Sequence, residues 1–220
     1  MINGTFETHV TVMDCDRAAL AAFAAEHDLN YVYIELDRGA TPLQPMLTLT
    51  GAGTLADQRA AARDWCDRLR KTGILPIRTK IEATPWSTGV PDTDSAAGAE
   101  PADRYFEHHV KVRLPSADAA DLQALTELVA VHGARLSRNA RRRDTSGGEQ
   151  RFVNQRCHGV GRPVAARRMG QLVAALTAAG YDVVSAEQEY VVHDSGLHLD
   201  DGWLQPLPRE VVPSRREAPV

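Results

Sequence analysis

Hydrophobic and polar residues alternate along two widely separated stretches of the chain, residues 5–12 and 105–114. An alternation with a period of two is typical of a β-strand whose two faces lie in different environments. In the first stretch, Phe6, Val10 and Val12 share one face. We therefore predict one strand in each stretch, with its apolar face packed on helices and its polar face left open.

Helical patterns with a period near 3.6 follow each of these strands. They predict helices over about 16–27, 54–72, 117–132 and 162–179. Thr54 and Ser116 are suitable N-caps for two of these helices. Gly73 and Gly180 stand where a left-handed residue closes a helix. The remaining apolar runs predict strands over about 30–36, 46–50, 74–83, 134–140, 151–158 and 181–192.

The two halves of the chain repeat the same motifs at a nearly constant separation. Phe6–Val12 reads FETHVTV and Phe106–Val112 reads FEHHVKV, so five of the seven residues are identical. Gly51-x-Gly53 returns as Gly159-x-Gly161. Each half reads β-α-β-β-α-β, the split βαβ layout of ferredoxin-like units. We therefore predict an α+β fold built as a tandem duplication, in which antiparallel sheets carry helices on one face.

Composition along the chain suggests where the repeats begin and end. We predict a first ferredoxin-like repeat over 1–86, a linker over 87–103, a second repeat over 104–204 and a disordered proline-rich tail over 205–220. A longer loop around 141–148 accounts for the extra residues of the second repeat. Trp203 is a candidate anchor that holds the polar extension before the tail against the body of the protein.

Overall composition narrows the function classes without selecting one. The 220 residues carry a net charge of -4 and are 43% hydrophobic, which makes no general case for nucleic-acid or membrane binding. The start of the chain lacks a signal-peptide pattern, and no apolar run could span a bilayer, so we expect a cytoplasmic protein. Cys15, Cys66 and Cys157 form no CxxC pair, so neither a disulfide framework nor a cysteine zinc site is indicated.

The polar faces of the predicted strands carry the candidate chemistry. The last strand of a ferredoxin-like unit lies beside the first, which would gather Glu7, His9, Lys80 and Glu82 on one patch. The matching patch would hold Glu107, His109, Glu187 and Glu189. Further candidates on these faces are Lys111, Arg156 and His158 in the second half and Tyr31, Tyr33 and Glu35 in the first. By the spacing of the glycine motifs, Arg156 and His158 correspond to Thr48 and Thr50.

Two readings of these polar faces stay open. Antiparallel sheets often keep one face in water, and a salt-bridged ladder such as Lys80 with Glu7 would suit a solvated face. Two sheets whose open faces meet would instead enclose a polar cleft. Because both halves retain Glu-x-His and a later Glu, we favour the cleft.

Such a cleft would support proton transfer or metal binding. A carboxylate orients a histidine and makes it more basic, so His9 with Glu82 and His109 with Glu189 are the catalytic candidates. The same donors suit Zn, Mn, Fe or Ni, although the sequence identifies no metal and no cofactor. We predict that the ligand-binding residues are Glu7, Glu107, Lys80, Lys111, Arg156 and His158.

Two known enzyme groups share part of this pattern. His9-Val10-Thr11 resembles one half of the motif pair of the 2H phosphoesterases, duplicated folds with two facing histidines. That resemblance implies phosphodiester chemistry, but the second copy, His109-Val110-Lys111, has lysine in place of the hydroxyl residue. The paired modules also resemble, in logic alone, metal enzymes of the vicinal oxygen chelate type. Those use β-α-β-β-β modules, so the likeness ends at the second helix of each unit.

Two weaker signals concern anions. Gly-x-Gly precedes the second helix of each unit, where backbone N–H groups and Arg59 or Arg167 could hold an anion, although tight turns explain such glycines equally well. Arginines crowd the second hairpin, including Arg141–Arg143, which would suit phosphate or RNA. No aromatic residues are interleaved with them, which favours a solvated loop.

The sequence identifies no reaction, substrate or assembly state, and leaves open whether the protein is an enzyme. Our hypothesis is that the protein binds a small polar or anionic ligand between the open sheet faces of its two repeats, with or without a divalent metal and chemical transformation. The alternative is a non-catalytic interaction module for a protein or RNA partner. Phosphodiester chemistry of the 2H type is the third possibility.

Overall fold

The computed structural model describes residues 1–114, 118–141 and 149–204. Its strands are β1 (Asn3–Val12), β2 (Asn30–Leu36), β3 (Leu43–Thr54), β4 (Pro76–Ala83), β5 (Tyr105–Leu114), β6 (Ala134–Asn139), β7 (Glu149–His158) and β8 (Asp182–Asp194). Its helices are α1 (Arg17–Glu26), α2 (Leu55–Lys71), α3 (Asp94–Gly98), α4 (Ala119–Ala130) and α5 (Arg162–Ala178). The predicted mixed α+β architecture with an antiparallel sheet and helices is confirmed.

The described strands close into one antiparallel barrel, in the order β1-β3-β2-β6-β7-β5-β8-β4. The N-terminal half supplies four adjacent strands and the C-terminal half the other four. The halves join where β2 pairs with β6 and β4 pairs with β8. The structure thus differs from two separate sheets that face each other. Pairing the edge strands satisfies backbone groups that separate sheets would leave exposed.

The hydrophobic core lies between the barrel wall and the helices outside it. In the N-terminal half, Val10 and Leu47 pack with Leu20 and Leu69 from the helices, and all four are fully buried. An equivalent core in the C-terminal half joins β5, β6 and β7 to α4 and α5. Burying a Val or Leu side chain contributes about 1.5–3 kcal/mol. Since the apolar strand faces serve this outer layer, the polar faces line the inside of the barrel.

Local signals in the sequence define the helix ends. Thr54 and Asp57 form a capping box at the start of α2: the Asp57 carboxylate accepts the Thr54 backbone N–H at 2.9 Å, and the Thr54 hydroxyl accepts the Asp57 backbone N–H at 3.2 Å. Gly73 follows α2 and Gly180 follows α5, with φ of 84° and 85°. Asp118 caps α4, while the predicted cap Ser116 lies outside the described residues. No described helix has the length and apolarity needed to cross a membrane.

The predicted linker packs against the start of α5. It contains α3, and the Asp94 carboxylate accepts the Gly161 backbone N–H at 2.7 Å. A side chain at Gly161 would collide with the Thr93 backbone, 2.7 Å from an added Cβ, so the close approach requires glycine. The predicted tail, residues 205–220, lies outside the described residues.

Candidate functional site

The barrel encloses a cavity of about 340 Å³, within the size range of small-molecule sites. Side chains alternate between the two faces of a strand, so every second residue of each strand points inward. On β1 these inward residues are Glu7, His9 and Thr11, and on β5 they are Glu107, His109 and Lys111. The polar faces predicted from the sequence therefore line one cavity inside the barrel.

The cavity has an apolar wall and a charged wall. Val32, Ile34 and Leu36 of β2 line one side, and Met46 and Phe152 extend it. In the closed strand order the seam between β2 and β6 lies opposite the seam between β4 and β8. The second seam is charged: its residues include Arg78, Lys80, Glu82, Glu187 and Glu189. The inward-facing charged residues and histidines of β1, β5 and β7 extend this charged wall. A molecule inside the barrel would meet both kinds of surface.

On the charged wall, His9 is held between a hydroxyl and a carboxylate. Its Nδ1 lies 3.0 Å from the Thr48 hydroxyl oxygen, and its Nε2 lies 2.9 Å from Glu82 Oε2. Glu7 Oε1 is 3.6 Å from the same Nε2. The predicted pairing of His9 with Glu82 is thus present in the structure.

His109 occupies the matching position in the other half. Its Nδ1 lies 2.8 Å from Asn154 Oδ1, and its Nε2 is 3.4 Å from Glu189 Oε2 and 4.0 Å from Glu82 Oε1. Burial opposes protonation of this imidazole, but the carboxylates of Glu189, Glu82 and Glu107 raise the pKa of His109 well above its ordinary value. Both histidines therefore direct Nε2 at the Glu82 carboxylate.

Glu82 is the centre of this cluster and is almost completely buried. Besides the two imidazoles, it meets Lys80, whose Nζ is 2.8 Å from Glu82 Oε1. Burial alone would raise the pKa of the Glu82 carboxyl, but Lys80 and the imidazoles outweigh burial and hold that pKa well below its usual range. Glu82 is therefore ionised at neutral pH.

Lys80 begins a chain of buried ion pairs. Its Nζ is also 2.8 Å from Glu107 Oε2, and Arg156 Nε donates to Glu107 Oε1 at 3.0 Å. Burial disfavours the charged form of Glu107, yet Arg156 and Lys80 hold the pKa of its carboxyl far below the ordinary value. Such pairs are strongly interdependent, because removing one partner leaves a buried charge without compensation.

Asp200 completes the chain from outside the strands. Arg156 Nη2 donates to Asp200 Oδ2 at 2.6 Å, Arg78 Nη1 to Oδ1 at 3.1 Å, and the Gln44 amide to Oδ1 at 2.8 Å. Nearby, the buried Trp203 donates its indole N–H to the Leu136 carbonyl at 3.1 Å. The predicted role of Trp203 as an anchor agrees with this contact.

Sequence reasoning missed Asp200 and Gln44 as interior residues. Asp200 belongs to a short 3₁₀ turn after the last strand, and Gln44 is the second residue of β3, far away in the chain. The signal that the sequence offers is an aspartate close to a tryptophan in the C-terminal extension, and it does not indicate which arginines Asp200 would meet.

Of the predicted site residues, the charged wall contains Glu7, His9, Lys80, Glu82, Glu107, His109, Arg156 and Glu189, and Lys111 also lines the cavity. His158 does not line it. Its ring stacks 4.6 Å from that of Tyr105, at the end of β7. The predicted ladder pair also differs, because Lys80 contacts Glu82 and Glu107 rather than Glu7.

Two assignments of strand positions were wrong. On β2, Tyr31 packs in the outer core and Tyr33 donates its hydroxyl to Asp14 at 2.9 Å, while Glu35 pairs with Arg138. Both faces of β2 are largely apolar, so the tyrosines and Glu35 were placed on the wrong face.

The second error concerns the register of the hairpins. Thr50 lies opposite Glu7, as Arg156 lies opposite Glu107. The counterpart of Arg156 is therefore Thr50 rather than Thr48, because the spacing of the glycine motifs does not hold along β3 and β7.

The glycine motifs and Arg141, considered above as anion-binding features, have structural roles or contacts within the protein. Gly51-x-Gly53 forms part of β3, and the start of α5 already holds the Asp94 carboxylate. Arg141 stacks on the Tyr31 ring at 4.6 Å, and Arg142 and Arg143 lie outside the described residues. Cys157 is buried in the core, as predicted.

One group of donor atoms has metal-site spacing. The donors of Glu82, His109 and Glu189 all lie within 4.8 Å of one another. His nitrogen and carboxylate oxygen are ligands that divalent transition metals accept.

Comparisons with known proteins add little to this geometry. No protein-family profile and no curated protein sequence matches the chain. Two solved structures of mutant chlorite dismutase from Candidatus Nitrospira defluvii are similar to it at 13% identity and a TM-score of 0.28. The alignments cover 86% of this chain and 91% and 92% of those chains. A likeness this weak carries no functional information.

Proposed function

We propose that the barrel interior binds a small organic molecule that has an apolar body and a polar head. The observation that carries the proposal is the cavity of about 340 Å³ between an apolar wall and the two histidines. The apolar body would pack on Val32, Ile34 and Phe152. The polar head would meet His9 and His109, which are held in place by Thr48 and Asn154.

The charges inside the barrel support a polar head in preference to a strongly anionic one. Around the histidines, Arg78, Lys80 and Arg156 are each already paired with buried carboxylates, whereas Lys111 lies over the Phe152 ring, beside the apolar wall. A free anion would have to compete with those carboxylates, whereas a hydroxyl or amine can donate to Glu7 or Glu189. We therefore narrow the predicted polar or anionic ligand to one whose head donates hydrogen bonds.

The cavity also weighs against phosphodiester chemistry and against a macromolecular partner. Phosphodiester chemistry would need a phosphate between the histidines, where the ionised Glu82 carboxylate lies 2.9 Å from His9 Nε2. A protein or RNA partner could not reach the polar strand faces, because they line the barrel interior.

We also propose, from the repeated element order, that the chain arose by tandem duplication of a ferredoxin-like unit.

Thermal shift of the full chain in EDTA tests the proposal. Benzoate, catechol, phenylethylamine and orthophosphate serve as probes. We expect the melting temperature to rise with catechol or phenylethylamine, more than with benzoate, and not with orthophosphate. Binding at a hundredfold excess over Kd stabilises the folded state by about 2.7 kcal/mol.

Variants locate the binding. His9→Ala and His109→Ala should each remove the rise in melting temperature. The control His198→Ala, at an exposed residue of the 3₁₀ turn, should keep it. A rise that persists in the double variant of His9 and His109 would exclude the barrel interior as the site.

A further inference from the structure

We propose that Glu82, His109 and Glu189 bind one divalent transition-metal ion on the charged wall of the cavity. The inference rests on the proposed function, because the ion would meet the polar head of the bound molecule. The three side chains come from β4, β5 and β8, which are neighbours in the barrel. Their donor atoms lie within 4.8 Å of one another.

The spacing suits coordination better than hydrogen bonding. His109 Nε2 is 3.4 Å from Glu189 Oε2 and 4.0 Å from Glu82 Oε1. Both distances exceed the usual N–H···O range of about 2.7–3.2 Å. Bonds of about 2.1 Å to one ion would separate adjacent donors by roughly 3.0–3.4 Å. The 3.4 Å pair already has this spacing, and the 4.0 Å pair would have to close by about 0.6–1.0 Å for its donors to share one ion.

Asn154 gives His109 the tautomer that a metal needs. The Asn154 side-chain N–H donates to the Ser137 hydroxyl at 2.9 Å, so its oxygen faces His109 Nδ1 at 2.8 Å. Nδ1 therefore carries a hydrogen, so Nε2 is the ring nitrogen that a metal would bind, after it displaces the Nε2 proton. Metal-binding histidines are typically held in this way by a partner on the other ring nitrogen.

Glu82 provides a separate indication of a cation. It is 1% exposed, and its close nitrogen neighbours are Lys80 Nζ, 2.8 Å from Oε1, and His9 Nε2, 2.9 Å from Oε2. Its permanent cationic neighbour, Lys80, is shared with Glu107. Glu7 and Glu189 add two more carboxylates around the imidazoles. Once a metal holds the imidazole in its neutral form, the three carboxylates of the cluster outnumber its one lysine, which is shared with Glu107.

The donor set selects the class of ion. One imidazole nitrogen and two carboxylates suit Zn²⁺, Mn²⁺, Fe²⁺ or Ni²⁺. Mg²⁺ and Ca²⁺ prefer oxygen donors throughout. His109 and Glu189 are 24% and 23% exposed, so the remaining coordination positions would face the cavity. His9, at 2.9 Å from the other oxygen of Glu82, would act as a positioning residue.

Metal titration of the EDTA-treated full chain tests this site. Zn²⁺ is followed by calorimetry and Co²⁺ by its visible absorption, with Mg²⁺ as the control ion. We expect one Zn²⁺ or Co²⁺ per chain and at least tenfold weaker binding of Mg²⁺. His109→Ala and Glu189→Gln should each weaken Zn²⁺ binding at least tenfold. Asn154→Ala should weaken it by about 10–100-fold.

The matched control is Glu187→Gln, two residues from Glu189 on the same strand and also lining the cavity. It should bind Zn²⁺ as the unmodified protein does. The absence of saturable Zn²⁺ or Co²⁺ binding below about 1 mM would overturn the inference, as would equal affinity in Glu189→Gln and Glu187→Gln. If the unmodified protein binds no metal but its melting temperature still rises with catechol or phenylethylamine in EDTA, the metal site alone is rejected. Metal binding without any small-molecule shift would reject the proposed function alone.

Discussion

Glu7 and Glu107 occupy matching positions in the two halves, yet their surroundings differ. The Glu7 side chain is 39% exposed, and the imidazole of His9 lies 3.6 Å from its carboxylate. Glu107 is 1% exposed and lies between Lys80 and Arg156. The same motif therefore supplies an accessible acid in one half and a structural acid in the other.

The strands beside the motif cause this difference. Glu107 lies opposite Arg156 on β7, whereas Glu7 lies opposite Thr50 on β3. Lys80 reaches Glu107 from the other half, so the buried site needs both halves of the barrel. The comparison shows that the same glutamate in a repeated motif can have different structural roles in the two halves of a closed barrel.

Replacing Glu107 by glutamine should give the largest loss of stability, and the same change at Glu7 is its matched control. Glu107→Gln removes the carboxylate that compensates two buried cations, and we expect a loss of about 3–5 kcal/mol in unfolding free energy. The matched change Glu7→Gln affects a partly exposed carboxylate and should cost less than about 1 kcal/mol. Urea denaturation measures both. Equal losses would mean that the two acids are equivalent after all.

Low pH should destabilise the protein by protonating the buried carboxylates of the ion-pair chain, such as Asp200. Burial raises the pKa of Asp200, but Arg78 and Arg156 outweigh burial and hold it below the ordinary value of 3.8. A carboxyl with a lowered pKa in the folded protein contributes stability above its unfolded pKa and loses it as pH falls further. We expect stability to fall below about pH 4.

Asp200→Asn separates this contribution from general acid unfolding. The variant should be about 1–3 kcal/mol less stable at pH 7, and its stability should depend less steeply on pH between about pH 4 and pH 2. Denaturation at a series of pH values provides the measurement. An unchanged pH dependence would show that Asp200 does not contribute to acid sensitivity.

An ion pair outside the cavity should show the smallest effect. Arg138 Nε lies 2.5 Å from Glu35 Oε2, but the two side chains are 45% and 24% exposed. Water screens such a pair, so Glu35→Gln should change the unfolding free energy by less than about 1 kcal/mol. A loss as large as that of Glu107→Gln would contradict the distinction between the interior and the surface.

The sequence by itself determined the strands, the four longer helices and most of the charged wall, but not the short α3 in the predicted linker. Alternation along β1 and β5 placed Glu7, His9 and His109 on the polar face, because a strand directs successive side chains to opposite faces. Thr54 and Gly73 marked the ends of α2 through their backbone preferences. These are local properties, so a single sequence contains them.

Only the tertiary structure decided how those faces meet. Closing the strands into one barrel turned the polar faces inward and brought Glu82 to both histidines. It also brought Asp200 between Arg78 and Arg156, across more than 40 residues of chain in each case. Such contacts depend on which strand edges pair and where a distant turn packs, and no local pattern of residues contains that information.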